Sequence, residues 1–330
     1  MSELRVQDAD TEGEQPTRPG RARRRATKWL RRIGVCVLAV VVVATAVCLI
    51  FNRATRPPVR IEPGFGAYVK VGASEVHYET WGKGGTPIVL VPGFLESSTV
   101  WSTVGPLLGK DHVVYALDLP GHGYTRYSGP MLLRDQAELV HGFVRTLRLD
   151  RPALVGHSLG AAVVGEVALR HPQDVRKVIF ADGDGLKMNL GPKWLRSVVL
   201  NSPYMTTVMR IGSRWTAADK WFIKRICGAS CQTPSTALTK QWVRPLHQRS
   251  GEDALRDLMI NADYGLAPEQ VSAISVPSAI IWGSDDGNGG SLDKTIVNLH
   301  RPPTRIIRNA GHLTMLAAPE AFAQAVESLA

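Results

Sequence analysis

Residues 153–170 read ALVGHSLGAAVVGEVALR, and the way Gly156-His157-Ser158-Leu159-Gly160 joins its two flanks decides the fold. The uninterrupted apolar run 153–156 has the composition of a buried strand, and 161–170 has the spacing of a helix with small residues on its near face. Ser158 therefore falls on a strand-to-helix turn. Glycine on either side leaves room for a sharp elbow, so the serine Oγ projects above the sheet edge with the helix N-terminus beneath it. That is where a nucleophile belongs. The competing reading is a glycine-rich turn with a helix-capping serine.

A serine hydroxyl is a poor nucleophile until a base takes its proton and an acid orients that base. Downstream, 278–287 (SAIIWGSDDG) gives a second buried strand, 279–282, that ends in Asp285 and Asp286. Further on, 304–316 (TRIIRNAGHLTML) gives a strand at 305–308 and then a loop carrying His312. The order serine, acid, histidine is that of one hydrolase architecture. Four blocks stand in sequence: VPGFLESSTVW (91–101), DLPGHGYT (118–125), GHSLG (156–160), and WGSDD (282–286) with NAGH (309–312). Through these blocks, and over 68–330, the chain resembles the α/β-hydrolase superfamily.

The resemblance implies a catalytic triad of Ser158, Asp286 and His312. Asp286 is the acid because it follows Gly283 by three residues; Asp285 is its alternative, and relatives that take the acid from the strand after the nucleophile helix bring in Asp182 and Asp184. It also implies an oxyanion hole of two backbone N–H groups, those of Leu159 and Phe94, each worth about 3 kcal/mol in other enzymes. Relatives usually carry His-Gly in the Phe94 loop, whereas this chain has Pro92-Gly93, so a side chain that supports the loop elsewhere is absent. His157, beside the nucleophile but pointing away from it, and His122, in a glycine-rich loop, are expected to be structural. His77, His112, His141, His171, His247 and His300 share no metal-ligand spacing, so no metal is expected. No phosphate-cradling glycine motif opens a helix, so no cofactor is expected either.

Around these blocks the pattern alternates. A hairpin over 65–81, turning at 72–74, precedes strand 88–91, helix 101–108, strand 112–117, helix 132–147, the elbow, and strand 177–181. This predicts an α/β fold, a mostly parallel doubly wound sheet. The alternation stops over 186–266, too long a stretch for a loop, where relatives carry a helical cap. Trp194, Trp215, Trp221 and Trp242, with Met205, Met209 and Met259, are read either as the core of that cap or as the lining of an apolar pocket. The hydrolase core then comprises 65–185 and 267–330.

The N-terminal end is of a different kind. Residues 33–51 form an uncharged apolar run of 19 residues, close to the roughly 20 a membrane-crossing helix needs. Basic residues precede it (Arg21, Arg23, Arg24, Arg25, Lys28, Arg31, Arg32) more densely than they follow it (Arg53, Arg56, Arg60), which puts the N-terminus in the cytoplasm and the rest outside. The expected organisation is a disordered basic tail (1–32), a transmembrane helix (33–51), and a proline-stiffened linker (52–64). A cleaved secretory signal is the alternative, since Ala44-Thr45-Ala46 has the form of a cleavage site. The net charge of +10 is concentrated here: 1–60 hold 12 Lys+Arg against 5 Asp+Glu, and the remainder 27 against 24. Such a split points to lipid head groups and away from nucleic acid. Cys36 and Cys48 lie in the apolar run, while Cys227 and Cys231 are either a short-loop disulfide, which an extracytoplasmic compartment permits, or two free thiols.

The expectation is a membrane-anchored serine hydrolase of esterase or lipase type, acting on a small-molecule or lipid ester through an acyl-enzyme. Carbon–carbon bond hydrolysis, amino-terminal peptidase action and cofactor-free peroxidase chemistry use the same fold and triad. A hydrolase-like binding module without catalysis is the reading from another class.

Overall fold

The computed structural model describes residues 21–187, 191–261 and 264–330. The expected tail over 1–20 lies outside the described residues. Residues 1–51 and 52–330 are separate compact units. The first contains nearly all of α1 (Arg21–Ala54), whose stretch Lys28–Ala54 is long and apolar enough to cross a membrane. The helix begins twelve residues before the apolar run, so 21–32 is helical rather than part of a disordered tail. RARRRATKWLRR consists largely of strong helix formers and contains neither glycine nor proline, which explains the extension.

The second unit is built on eight strands: β1 (Ala67–Val71), β2 (Ser74–Trp81), β3 (Pro87–Val91), β4 (Val113–Leu117), β5 (Ala153–His157), β6 (Lys177–Ala181), β7 (Ser278–Gly283) and β8 (Thr304–Ile307). They form one sheet in the order β1-β2-β4-β3-β5-β6-β7-β8. The β1–β2 and β2–β4 pairs are antiparallel, and all others are parallel. Among the described residues, twelve further α-helices follow α1: α2 (Val104–Leu108), α3 (Leu133–Thr146), α4 (Leu159–Arg170), α5 (Lys193–Leu200), α6 (Pro203–Gly212), α7 (Thr216–Cys227), α8 (Thr236–Val243), α9 (Arg249–Asn261), α10 (Pro268–Ser272), α11 (Leu292–Asn298), α12 (Thr314–Ala317) and α13 (Pro319–Leu329).

The period-2 geometry of a strand divides its side chains between two faces. On β3, Val89 and Val91 pack with α3 and α4, while Ile88 and Leu90 pack with α2 and α13 on the opposite side. Both faces are covered, which is why the parallel strands read as continuous apolar runs. Trp101, Phe143, Phe180 and Phe322 are fully buried, each contributing about 1.5–3 kcal/mol relative to exposure.

Between β6 and β7 the chain leaves the sheet for α5–α9, the helical insertion at the position expected for a cap. Of its four tryptophans, only Trp242 is buried and lines a cavity. Trp194, Trp215 and Trp221 are 68%, 63% and 67% exposed, so the cap-core reading does not hold for them, and of the three Trp221 borders an open cleft with Lys224 and Asp285. The linker also differs from a free spacer. Its carbonyls at Pro58 and Val59 accept the N–H groups of Arg249 (2.8 Å) and Ser250 (3.2 Å), and Ile61 N–H donates to Gln248 (2.9 Å). An extended proline-rich segment has unpaired carbonyls, and the first turn of α9 has unpaired N–H groups to meet them.

Candidate active site

The elbow is made by β5 and α4. Ser158 has φ 50° and ψ −115°, a conformation that L-residues rarely adopt and that costs on the order of 1–3 kcal/mol. The turn is held by Ser158 N–H donating to Ala181 O (2.9 Å) and Ala161 N–H donating to Ser158 O (3.0 Å). Gly156 is required by close approach: a Cβ there would lie 2.2 Å from Gly160 O.

Ser158 Oγ stands 2.9 Å from His312 Nε2. The other ring nitrogen, Nδ1, is 3.1 Å from both Asp286 oxygens. Asp286 also accepts the N–H groups of Asn288 (2.7 Å) and Gly289 (3.1 Å). Burial alone would raise its pKa, but the imidazole and these two N–H donors prevail and hold it below the usual carboxylate range. Asp285 faces away, accepting Ser284 Oγ (2.8 Å). Asp184 caps Leu186 N–H (2.9 Å). Asp182 is fully buried, accepts Gly283 N–H (2.7 Å) and Thr314 Oγ1, and burial lifts it to about 7. Of the four aspartates considered, Asp286 is the one at the imidazole.

Leu159, the first residue of α4, and Phe94, in the loop after β3, both border the cavities at Ser158. The Phe94 loop is supported by residues whose partners sequence spacing does not reveal. Gly93 N–H donates to Glu96 Oε2 (2.6 Å), and the same oxygen meets His157 Nδ1 (2.8 Å). The opposite ring nitrogen of His157 lies 2.7 Å from His312 O. Glu96 and His157 are both buried. Burial opposes the charge on His157, but Glu96 outweighs it and brings the ring to about 9. Glu96 thus ties the Pro92-Gly93 loop to His157. A Cβ on Gly93 would lie 2.9 Å from Ser158 Cβ, so the loop closes directly onto Ser158. His122 accepts Leu95 N–H (3.2 Å) through Nδ1; burial lowers it to about 4 and keeps it neutral.

The base loop is tied to the insertion. His312 N–H donates to Ile226 O (2.7 Å) and Gly311 N–H to Cys227 O (2.8 Å) at the end of α7. Cys227 and Cys231 form a disulfide there, with Cα atoms 5.6 Å apart. Trp242 Nε1 donates to Leu95 O (2.8 Å), fastening α8 to the Phe94 loop.

Two cavities meet at Ser158. The larger, about 540 Å³, is lined by Met209, Phe222, Ile223, Trp242, Leu246 and Leu255 beside Ser158 and His312. The smaller, about 230 Å³, runs past Ala162, Leu186, Met259 and Tyr264. An apolar chamber on one side of an activated hydroxyl can hold a hydrocarbon chain while the reacting group lies at the junction. Among the described residues, Glu138, His141 and His171 bring ligand-type atoms within 4.8 Å of one another. This group belongs to α3 and the end of α4 and lines neither cavity. Its imidazoles are paired to carboxylates, His141 to Asp174 (2.8 Å) and His171 to Glu138 (3.1 Å).

Known proteins resemble this chain. "Uncharacterized hydrolase YugF" of Bacillus subtilis is 26% identical over 214 residues, covering 64% of this chain and 76% of that one. Human "Monoacylglycerol lipase ABHD6" is 25% identical over 252 residues, covering 72% and 73%. The crystal structure of a membrane phospholipase A described as a bacterial virulence factor superposes with a TM-score of 0.63 at 20% identity, covering 93% of this chain and 97% of that one. The profile of the alpha/beta hydrolase family matches residues 88–325. With that match over most of its length, a mostly parallel eight-stranded sheet and a serine on the elbow, the chain belongs to the alpha/beta hydrolase family.

Proposed function

We infer that the protein is a membrane-anchored serine hydrolase that cleaves carboxylic esters, with Ser158 as nucleophile, His312 as base and Asp286 as the group that orients it. The observation that carries this is the unbroken line from Ser158 Oγ through His312 (2.9 Å) to Asp286 (3.1 Å). His312 takes the hydroxyl proton as Oγ bonds to the ester carbonyl carbon, and the negative charge passes to the carbonyl oxygen, which the N–H groups of Phe94 and Leu159 receive. As the tetrahedral centre collapses, the ester C–O bond breaks and the imidazolium returns the proton to the leaving alcohol. Water, deprotonated by the same ring, then releases the acid and restores Ser158.

The apolar character of the larger chamber supports an acyl chain as the group it takes. The relative named a monoacylglycerol lipase supports the esterase–lipase reading. The run 33–51 would hold the chain in a membrane, and the basic excess before it would keep the N-terminus cytoplasmic. A disulfide at Cys227–Cys231 agrees with an oxidising, extracytoplasmic compartment for the domain.

The test is kcat/KM of the full chain over p-nitrophenyl esters of increasing acyl length and a monoacylglycerol. Turnover that rises with chain length supports this reading. Turnover of a vinylogous diketone with no ester cleaved would replace it by carbon–carbon bond hydrolysis.

A further inference from the structure

We propose that the outer face of α5–α7 is a bilayer-docking surface, on which the cap rests against anionic lipid and passes a lipid chain directly into the larger chamber. The proposal rests on the anchored, ester-cleaving reading above and adds the partner surface to it.

The sequence of these helices is amphipathic in an unusual direction, with large apolar side chains facing out. Tyr204, Val208 and Ile211 follow one another on α6 at spacings of four and three, the period of one helix face, Trp215 follows at the start of α7, and all four are exposed. Trp194 and Val198 repeat the spacing on α5, and Trp221 extends the surface on α7. Scattered apolar residues on a surface need no explanation, but a contiguous set of this size marks an interaction site.

Two observations favour lipid as the occupant. The first is charge. From 193 to 225 there are seven Lys and Arg against a single acid, Asp219. Of these, Arg210 is buried and neutralised by Glu252 (2.7 Å); Lys193, Arg214 and Arg225 remain exposed. Indole rings beside exposed basic groups are the composition of a helix lying in a membrane interface, where indoles take the headgroup level and cations meet anionic phosphate.

The second is the chain itself. Asn52, the first residue after the apolar run 33–51, donates its side-chain amide to Pro203 O (2.8 Å) and accepts Thr207 Oγ1 (3.1 Å). Its carbonyl accepts the Arg210 guanidinium. The residue that directly follows the apolar run is thus bonded to α6. Met209, from this same helix, and Phe222 and Ile223 of α7 line the larger chamber. The helices proposed to touch lipid on one side therefore wall the acyl chamber on the other.

The experiment uses the full chain in vesicles of phosphatidylcholine and phosphatidylglycerol with brominated acyl chains, against the triple variant Trp194→Ser/Trp215→Ser/Trp221→Ser. Docking predicts that the parent shows bromine-quenched tryptophan emission beyond that of the variant. Hydrolysis of vesicle phospholipid should fall about tenfold in the variant, while p-nitrophenyl butyrate cleavage in the same sample stays within about twofold, because the three indoles lie outside the catalytic cavities. Lys193→Glu/Arg225→Glu, which removes no apolar packing, should lose the stimulation by phosphatidylglycerol. Equal quenching in parent and triple variant would overturn the proposal whether or not esters are cleaved. Dimer cross-links through Val208→Cys together with equal quenching would instead give the face to a second copy. Quenching present with no ester cleaved would support docking and sink the esterase reading, so the two fail separately.

Discussion

The two halves of the catalytic groove are made of opposite materials. On the sheet side, the strands that lead to Ser158 and Asp286 are buried on both faces, Asp286 is held by backbone N–H donors, and His312 is held between Asp286 and Ser158. On the cap side, α5–α7 turn tryptophans and valines to the outside, and the ties to the sheet side include Ile226 and Cys227 to the His312 loop, Trp242 to the Phe94 loop, Ser230 to Asn309 and Gln248 to Gly123. The difference teaches that chemistry and recognition are separable here. The sheet side holds the reacting atoms in place, and the cap decides what reaches them.

Substitutions on the sheet side should therefore abolish turnover on every substrate alike, and the largest effect belongs to the base. His312→Ala should lower kcat about 10⁶-fold on soluble esters, as loss of one triad member does elsewhere; activity retained within tenfold or so would move the base elsewhere and break the comparison at its root. Asp286→Asn should cost about 10⁴-fold, because the imidazole loses its orienting partner and preferred tautomer. Asp285→Asn, whose carboxylate meets Ser284 instead, should stay within about threefold, the scale of a surface change. A reversal of the two in steady-state kinetics would place the acid one residue earlier.

The next effect is on stability. Glu96→Gln leaves His157 buried without its anion, and removing one partner of a buried pair costs about 3–5 kcal/mol. The pH dependence follows from the sign of the shift. His157 sits at about 9, above its ordinary value of about 6.5, so folding favours the bound proton. The stabilisation is whole below about pH 6.5 and is lost as pH rises through about 9. Urea unfolding of the parent should show that decline, and Glu96→Gln should flatten it. An unchanged slope in the variant would mean that the pair does not hold the Phe94 loop electrostatically.

The smallest effect belongs to the tie between the halves. Cys227→Ser/Cys231→Ser opens a short loop, worth about 2 kcal/mol by loop-closure entropy. Because Cys227 O accepts Gly311 N–H beside the base, kcat should fall with it, by a few-fold at most. A loss in stability with kcat untouched would show that the cap and the base loop are less coupled than these bonds imply.

Legibility in the sequence follows the same division. The strands could be read because burial on both faces leaves unbroken apolar runs such as 279–282, and the elbow because close approach excludes side chains at Gly156. Adjacent Asp285 and Asp286 could not be separated by composition, since only the turn after β7 decides which carboxylate faces the ring. Glu96 was invisible as a partner of His157 because the two lie 61 residues apart and meet only when β3 and β5 pair. Trp194 and Trp215 were misread because helical spacing says that a face is apolar without saying what covers it. The linker's bonds could not be read, because proline content foretells stiffness, while the first turn of α9 supplies donors that composition does not show.

The central claim is that Ser158, activated by His312, is the nucleophile. Covalent labelling by a fluorophosphonate probe tests it most directly, because the probe reports attack by an activated serine without requiring the natural substrate. Intact-mass and peptide analysis of the labelled full chain should find one phosphonyl group, on Ser158, lost in Ser158→Ala and strongly slowed in His312→Ala. A parent that stays unlabelled, or a Ser158→Ala variant that labels as fast as the parent, would contradict the account.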